Sequence, residues 1–273
     1  MKEKSSHKIQ NTDNIKYANI EGLVEAENNM PGYNRSIVNK FAKYFGIDST
    51  DTASNVKILE FGAGSGSLLD LFREVFAISP ECVEIDPCLV KILQEKKYLT
   101  HEKIPITQNK YDFIYTSNVL EHIDDDVDAL IQLRKTLKLK GRLAIYVPAL
   151  PLLYSNLDTN AGHFRRYKKG ELVDKVQAAG FLVEKCFYSD SLGVPASLAL
   201  KAFGYGNKFN LGFGNSLIIY DRVIYPVSKL MDSIGFKYLL GKNLFLFARI
   251  PSNSDSLANK VSVDLNKGAG QSN

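Results

Sequence analysis

The chain has 273 residues, 45% of them hydrophobic and 23% charged, with a net charge of +4. These proportions exclude a fibrous or fully disordered chain and allow one large soluble domain, or one domain carrying an insertion. A charge this modest argues against a nucleic-acid partner, and Cys82, Cys88 and Cys186 form neither a C-x-x-C pair nor a metal-ligand spacing.

Residues 1–16 are polar and basic, lack the apolar run of a secretory signal, and are expected to form a mobile tail before a domain over 17–251. Within 17–46, Ile37, Val38, Phe41 and Phe45 recur at helical spacing and Gly46 ends the pattern. Strand one is expected at 56–61 and a helix at 66–76. Between them runs Gly62-Ala63-Gly64-Ser65-Gly66-Ser67, with Leu68, Leu69 and Leu71 opening the helix. Alternating glycines let the backbone turn tightly and let a ligand touch the main chain. A strand, a glycine-rich turn and a helix together suit a nucleotide-like ligand. The dinucleotide pattern needs glycine at position 67, where this chain has serine. Glu60 at the strand end would repel a pyrophosphate and suits a ligand with a cationic amino-acid end.

Strand two is expected at 81–85 and its helix at 88–97. Glu84 falls about 20 residues beyond the glycine turn, where a carboxylate takes ribose hydroxyls. Asp86 before Pro87 reads equally well as a helix cap. Strand three, within 98–106, has only short apolar pieces. Strand four, 112–116, leads to Ser117 and Asn118 at the edge where open α/β sheets bind ligands. A helix over 125–139 follows. Asp124, Asp125 and Asp126 suit its positive end as solvated charges rather than as a metal site, and Lys138, Lys140 and Gly141 mark its stop. No metal is expected.

Strand five is expected at 142–147, halted by Pro148, with a loop over 148–168. That loop carries Gly162-His163-Phe164-Arg165-Arg166-Tyr167. An imidazole can take a proton from a hydroxyl near neutral pH, and guanidinium groups recognise phosphate or carboxylate. His163, Arg165, Arg166 and Tyr167 are therefore the candidate acceptor residues. A helix at 170–179, strand six at 181–188 and a last strand at 244–250 complete an α/β alternation that implies a doubly wound, mostly parallel sheet. The intervening segment 189–243 is too long for a structureless loop. It is aromatic-rich, and 217–231 reads as an amphipathic helix. A helical insertion is expected there, serving as a packed subdomain, a cap, or a surface for an apolar acceptor or a membrane. Residues 252–273 are Ser/Asn/Lys-rich and expected to be disordered.

Three runs carry a family resemblance: 58–68 with its glycine turn, 82–86 ending in acid, and Asn118-Val119-Leu120-Glu121-His122-Ile123 after strand four. Together they resemble class I S-adenosylmethionine (SAM) dependent methyltransferases. The Gly-His-x-Arg-Arg-Tyr run, with Glu27-Asn28 and Tyr33-Asn34 upstream, is similar to a bacterial subfamily often found beside or fused to glycosyltransferases. The resemblance implies a seven-stranded Rossmann-like sheet with a reversed last strand and SAM as cofactor. Motif I would contribute Glu60, Gly62, Ala63, Gly64 and Gly66. Glu84 would hold the ribose, with Ile85 beside it in the cofactor site, and Asn118, Val119 and His122 would lie toward the methionine end. An adenine-side acid is missing near Thr100 or His101.

The expected activity is methyl transfer to a small-molecule or lipid/glycan-linked acceptor, at oxygen. The absence of an Asn/Asp-Pro-Pro-Tyr run after strand four disfavours nucleic-acid bases. A glycosyltransferase is an expected associate. The setting is expected to be cytoplasmic, with peripheral contact at the inner membrane face through 189–243. Two rivals remain at this point: an NAD(P)-dependent oxidoreductase, against which Ser67 speaks, and a non-catalytic SAM-fold partner of a glycosyltransferase or membrane complex.

Overall fold

The computed structural model describes residues 20–48, 56–203 and 215–252. The expected tails at 1–16 and beyond 252 lie outside these. In chain order the elements are α1 (Ile20–Asn29), α2 (Pro31–Phe45), β1 (Ile58–Phe61), α3 (Ser67–Phe76), β2 (Glu81–Val83), α4 (Pro87–Glu95), β3 (Thr100–His101) and β4 (Tyr111–Ser117). There follow α5 (Asp126–Thr136), β5 (Leu137–Pro148), α6 (Asn156–Ala161), α7 (Lys169–Ala178), β6 (Leu182–Ser189), α8 (Gly193–Phe203), α9 (Asn215–Ile219), α10 (Tyr225–Ser233) and β7 (Asn243–Arg249). The strands form one seven-stranded sheet in the order β3-β2-β1-β4-β5-β7-β6, parallel except for β7, which runs antiparallel to both neighbours. The strand order reverses direction between β1 and β4, the switch point outside whose carboxyl ends open α/β sheets bind their ligands.

Each face of the sheet is covered by an apolar stripe at helical spacing. On α2, Tyr33, Ile37, Phe41 and Phe45 are buried against Tyr115, Tyr146, Phe245 and Phe247. Pro31 opens this helix and Gly46, at φ +77°, closes it. On the other face α5 and α7 bury Leu130, Leu133, Leu172 and Val176 on β4, β5 and β7. Asp86 caps α4, its Oδ1 accepting from the N–H of Cys88 at 2.8 Å and of Leu89 at 3.3 Å.

Three local expectations need correction. The helix after strand four stops at Thr136, and the stretch whose Lys138, Lys140 and Gly141 read as a helix stop is the entry to a longer β5. Leu137 already pairs with Tyr111, Lys138 ion-pairs with Asp112 at 2.8 Å, and Lys140 takes φ +64° to absorb the irregularity. The 148–168 loop contains α6, opened by a capping box between Ser155 and Asp158. Asp126 is buried rather than solvated. β3 has only two residues and pairs with β2 alone, so little of the apolar pattern of a central strand is needed.

The helical insertion between β6 and β7 is present. A π-helical stretch, Tyr220–Ile224, joins α9 to α10 into one continuous rod. The inner face of this rod carries Asp221, Tyr225, Ser228 and Asp232, all buried. Asp232 accepts from the N–H of Asp190 at 2.8 Å and from the Ser191 hydroxyl, and Ser228 Oγ accepts from the N–H of Leu192 at 3.0 Å. Asp221 accepts from the N–H of Gly32 at 3.0 Å and of Tyr33 at 2.6 Å. In α8, Lys201 Nζ donates to the carbonyls of Leu152 and Tyr154 at 2.8 and 2.9 Å. The insertion therefore touches both the N-terminal helices and the loop after β5.

Candidate active site

The glycine turn is shaped by its φ angles. Gly62, Gly64 and Gly66 sit at +77°, +56° and +86°, which residues with a side chain rarely adopt. At Gly62 a Cβ would lie 2.3 Å from Val119 Cγ2, so the turn and the segment after β4 are fitted to each other. Ala63 turns its methyl into a small core with Leu69, Cys82, Leu93 and Tyr98, and its N–H donates to the Val83 carbonyl at 3.2 Å while its own carbonyl accepts from the N–H of Gly66 at 2.9 Å. Asn118, at φ +53°, ends β4 with its N–H on the Tyr146 carbonyl at 2.8 Å.

Three carboxylates converge on this turn. Glu60 is buried and accepts from the Tyr115 hydroxyl at 2.9 Å, and burial raises its pKa well above the usual range. Glu84 Oε2 accepts from the N–H of Gly64 at 2.9 Å, while Oε1 accepts from those of Ile85 at 2.8 Å and Asp86 at 3.0 Å. Burial raises its pKa too. Glu27 accepts from the Ser65 hydroxyl, and burial pushes its pKa up to about 7. Lys96 Nζ reaches the same turn, donating to the Ser65 carbonyl at 2.8 Å while it ion-pairs with Asp70 at 2.7 Å. Sequence reasoning noticed Glu27 only as part of a motif, because nothing local says that α1 folds over the glycine turn.

These residues fit SAM. A turn of main chain without side chains suits its amino-acid end, a carboxylate cluster suits its positive charge, and half-exposed Ile85 beside Glu84 offers an apolar face for a base. When bound, SAM supplies a methyl group on a sulfonium that leaves readily.

The loop after β5 divides its polar groups between two buried aspartates. Asp158 receives His163 Nδ1 at 2.9 Å and Arg166 Nε at 2.7 Å. Although burial opposes it, these partners hold the Asp158 carboxyl down at about 2. Asp126 receives Arg165 Nη1 at 2.8 Å, the Tyr167 hydroxyl at 2.7 Å and Lys175 Nζ at 2.7 Å. Tyr167 is 0% exposed, and an isolated bridge holds it beside Ala149. Arg165 and Tyr167, expected to face an acceptor, thus have their polar ends turned onto Asp126 because a buried carboxylate demands partners.

His163 stands edge-on to His122 with ring centroids 4.6 Å apart. Burial lowers the His122 pKa to about 4, so its ring is neutral at physiological pH. Beside it, Glu121 is fully buried and neither carboxylate oxygen has a hydrogen-bond partner. Burial pushes its pKa up to about 8. The Glu121 carbonyl accepts from the N–H of Phe164 at 2.7 Å, which ties the two segments together. Neither Glu121 nor Asp158 was singled out from the sequence, since each gains meaning only from residues distant in the chain.

A family model described as a methyltransferase domain matches residues 26–185. No protein of curated function matches the chain in sequence. Among solved structures, the chain shares its fold with a protein from Galdieria sulphuraria assigned as a sarcosine dimethylglycine methyltransferase. The two are 16% identical over 80% of this chain and 84% of that one, with a TM-score of 0.53. A SAM dependent methyltransferase from Archaeoglobus fulgidus is also 16% identical, over 79% of this chain and 94% of that one, with a TM-score of 0.50. At such identities the likeness is one of fold. The family match ends before the helical insertion begins.

Proposed function

The chain belongs to the methyltransferase-domain family and is a SAM-dependent methyltransferase, and from that premise we propose that it methylates a hydroxyl on a lipid- or glycan-linked acceptor at an anionic membrane surface. The observation that carries this reading is the outer face of the α9–α10 rod. Ile219, Val223, Val227, Leu230 and Ile234 recur every three or four residues and all are exposed, Leu230 at 64% and Ile234 at 71%. Arg222 and Lys229 flank them, also exposed. The two acids between 215 and 242, Asp221 and Asp232, both point inward. An apolar stripe bordered by cations with no exposed acid suits anionic lipid, to which each basic side chain adds about 1 kcal/mol. Among the described residues no helix is long and apolar enough to cross a membrane, so the contact would be peripheral.

Binding at this face would bring a lipid-linked hydroxyl toward the loop that α8 grips through Lys201. His163, oriented by Asp158, is the imidazole placed to receive the hydroxyl proton, and Arg166 steadies the same aspartate. Much of the remaining catalysis is positioning.

The test is co-sedimentation of the full chain with neutral vesicles and with vesicles containing about 30% anionic lipid, alongside transfer of labelled methyl from SAM to fractionated lipids and glycans. Binding to the anionic vesicles, weakened by salt and lost in Val223→Asp/Leu230→Asp, is expected, with label entering the lipid fraction. A dimer that hides the stripe, or vesicle binding equal in the variant, would overturn the membrane reading.

A further inference from the structure

We propose that Glu121, His122 and His163 bind a first-row divalent cation. One donor atom from each of the three side chains lies within 4.8 Å of the others. Two imidazoles and one carboxylate make a three-ligand set that leaves coordination positions open, the arrangement of reactive rather than structural metal sites. Around an ion with bonds of about 2.1 Å, such donors sit about 3.4 Å apart, so binding would draw the side chains in by roughly an ångström.

An independent observation points the same way. The Glu121 carboxylate is 0% exposed and has no hydrogen-bond partner on either oxygen. A buried carboxylate left without a donor is costly, and such groups in folded proteins are normally paired or coordinate a metal. The cation described here would be that partner. The histidines match the role. His122 stands edge-on to His163, with ring centroids 4.6 Å apart. His163 has Nδ1 on Asp158 at 2.9 Å, leaving Nε2 as its free ligand atom. A carboxylate behind a ligating imidazole fixes ring orientation and strengthens the ligand. Asp158 is itself buried and anchored by Arg166 at 2.7 Å. The aspartates at 124–126 do not compete, because Asp126 is occupied by Arg165 and Lys175, and Asp125 caps α5.

The binding of the cation stands on this geometry alone; only its role rests on the proposed methylation of a hydroxyl. A hydroxyl bound at an open position becomes more acidic. Its proton would leave to solvent, and His163 would act as a ligand instead of receiving the proton itself.

The experiment strips the full chain with chelator, then titrates it with Co(II), read by ligand-field absorption, and with Zn(II) and Mn(II), read by calorimetry. One equivalent is expected to bind. Glu121→Gln and His163→Ala should raise Kd by more than about 100-fold, and Asp158→Asn by about 10–100-fold, the range seen for loss of a supporting carboxylate. Unchanged SAM binding and melting would certify each variant as folded. Should a variant fail to fold, His122→Ala, certified by its melting and circular dichroism alone, replaces it in the same titration. No saturable binding to the wild-type chain, or equal binding in the folded variants, overturns the proposal. Absence of cation binding alongside His163-dependent, chelator-resistant transfer would leave the acceptor reading in place. Cation binding without transfer to any hydroxyl would do the reverse.

Discussion

The Asp221 carboxylate receives the N–H of Tyr33 at 2.6 Å, joining the insertion to the first turn of α2 across 188 residues of sequence. The first N–H groups of a helix have no partner within it, and a carboxylate there also meets the positive end of the helix dipole. The same carboxylate takes Gly32. Asp221→Ala should therefore cost about 1–3 kcal/mol of stability, the price of orphaning buried donors. Chemical denaturation measures the loss, and hydrogen exchange should show faster opening at Tyr33. Exchange at Tyr33 unaltered in the variant would show that the contact does not hold the insertion down.

Gly62 and Gly46 share a φ of +77° but not their surroundings. Nothing lies within 4 Å of a Cβ at Gly46, whereas one at Gly62 meets Val119. Gly46→Ala should cost about 1–2 kcal/mol from the left-handed backbone alone. Gly62→Ala should cost more and abolish SAM binding, and adding Val119→Ala should recover part of the stability. Equal losses in the two single variants would contradict this.

Glu84 holds the turn through Gly64 at 2.9 Å, and the ribose contact expected of it would use what the N–H groups of Gly64, Ile85 and Asp86 leave open. Glu84→Ala should weaken SAM and its demethylated product by roughly 1.5–3 kcal/mol, as expected for bonds to a charged acceptor. Calorimetry giving wild-type affinity would remove Glu84 from the cofactor site.

Glu27 is expected to make cofactor binding depend on pH. Its folded pKa, raised to about 7 by burial, lies above the ordinary 4.5, so the free folded chain holds an extra proton between those values. The stability of the free chain from this group thus declines as pH rises across that window. Binding a cationic ligand favours the ionised carboxylate, so SAM affinity should climb as pH passes from about 6 to 7.5. Glu27→Gln should flatten the climb. An identical pH profile in the variant would exclude Glu27 from contact with the cofactor.

His163→Ala should lower turnover on the identified acceptor by about 10²–10⁴-fold while SAM affinity stays near wild type. Steady-state kinetics and calorimetry on the same preparation separate the two effects. A variant with full turnover would reduce His163 to a support for its loop.

The cofactor half of the site was legible in the sequence because its signals are local. Gly62, Gly64 and Gly66 announce a backbone that needs positive φ, and Glu60 and Glu84 each lie within one residue of the end of a strand beside that turn. The alternation of strands and helices determined the doubly wound sheet for the same reason, since apolar periodicity is a property of consecutive residues. The amphipathic stripe in 217–231 was legible too, but which of its faces met the protein was not. Tertiary structure decided that by placing Asp221 and Asp232 on the inner side, where backbone donors of Tyr33 and Asp190 awaited them. It also decided the fate of the Gly-His-x-Arg-Arg-Tyr run. From composition, His163, Arg165, Arg166 and Tyr167 look like one polar cluster. The fold gives Arg165 and Tyr167 to Asp126 and leaves His163 against His122 and Glu121. No sequence window contains both halves of that division. Buried carboxylates take whichever donors the packed chain brings within reach, and that choice belongs to the three-dimensional arrangement.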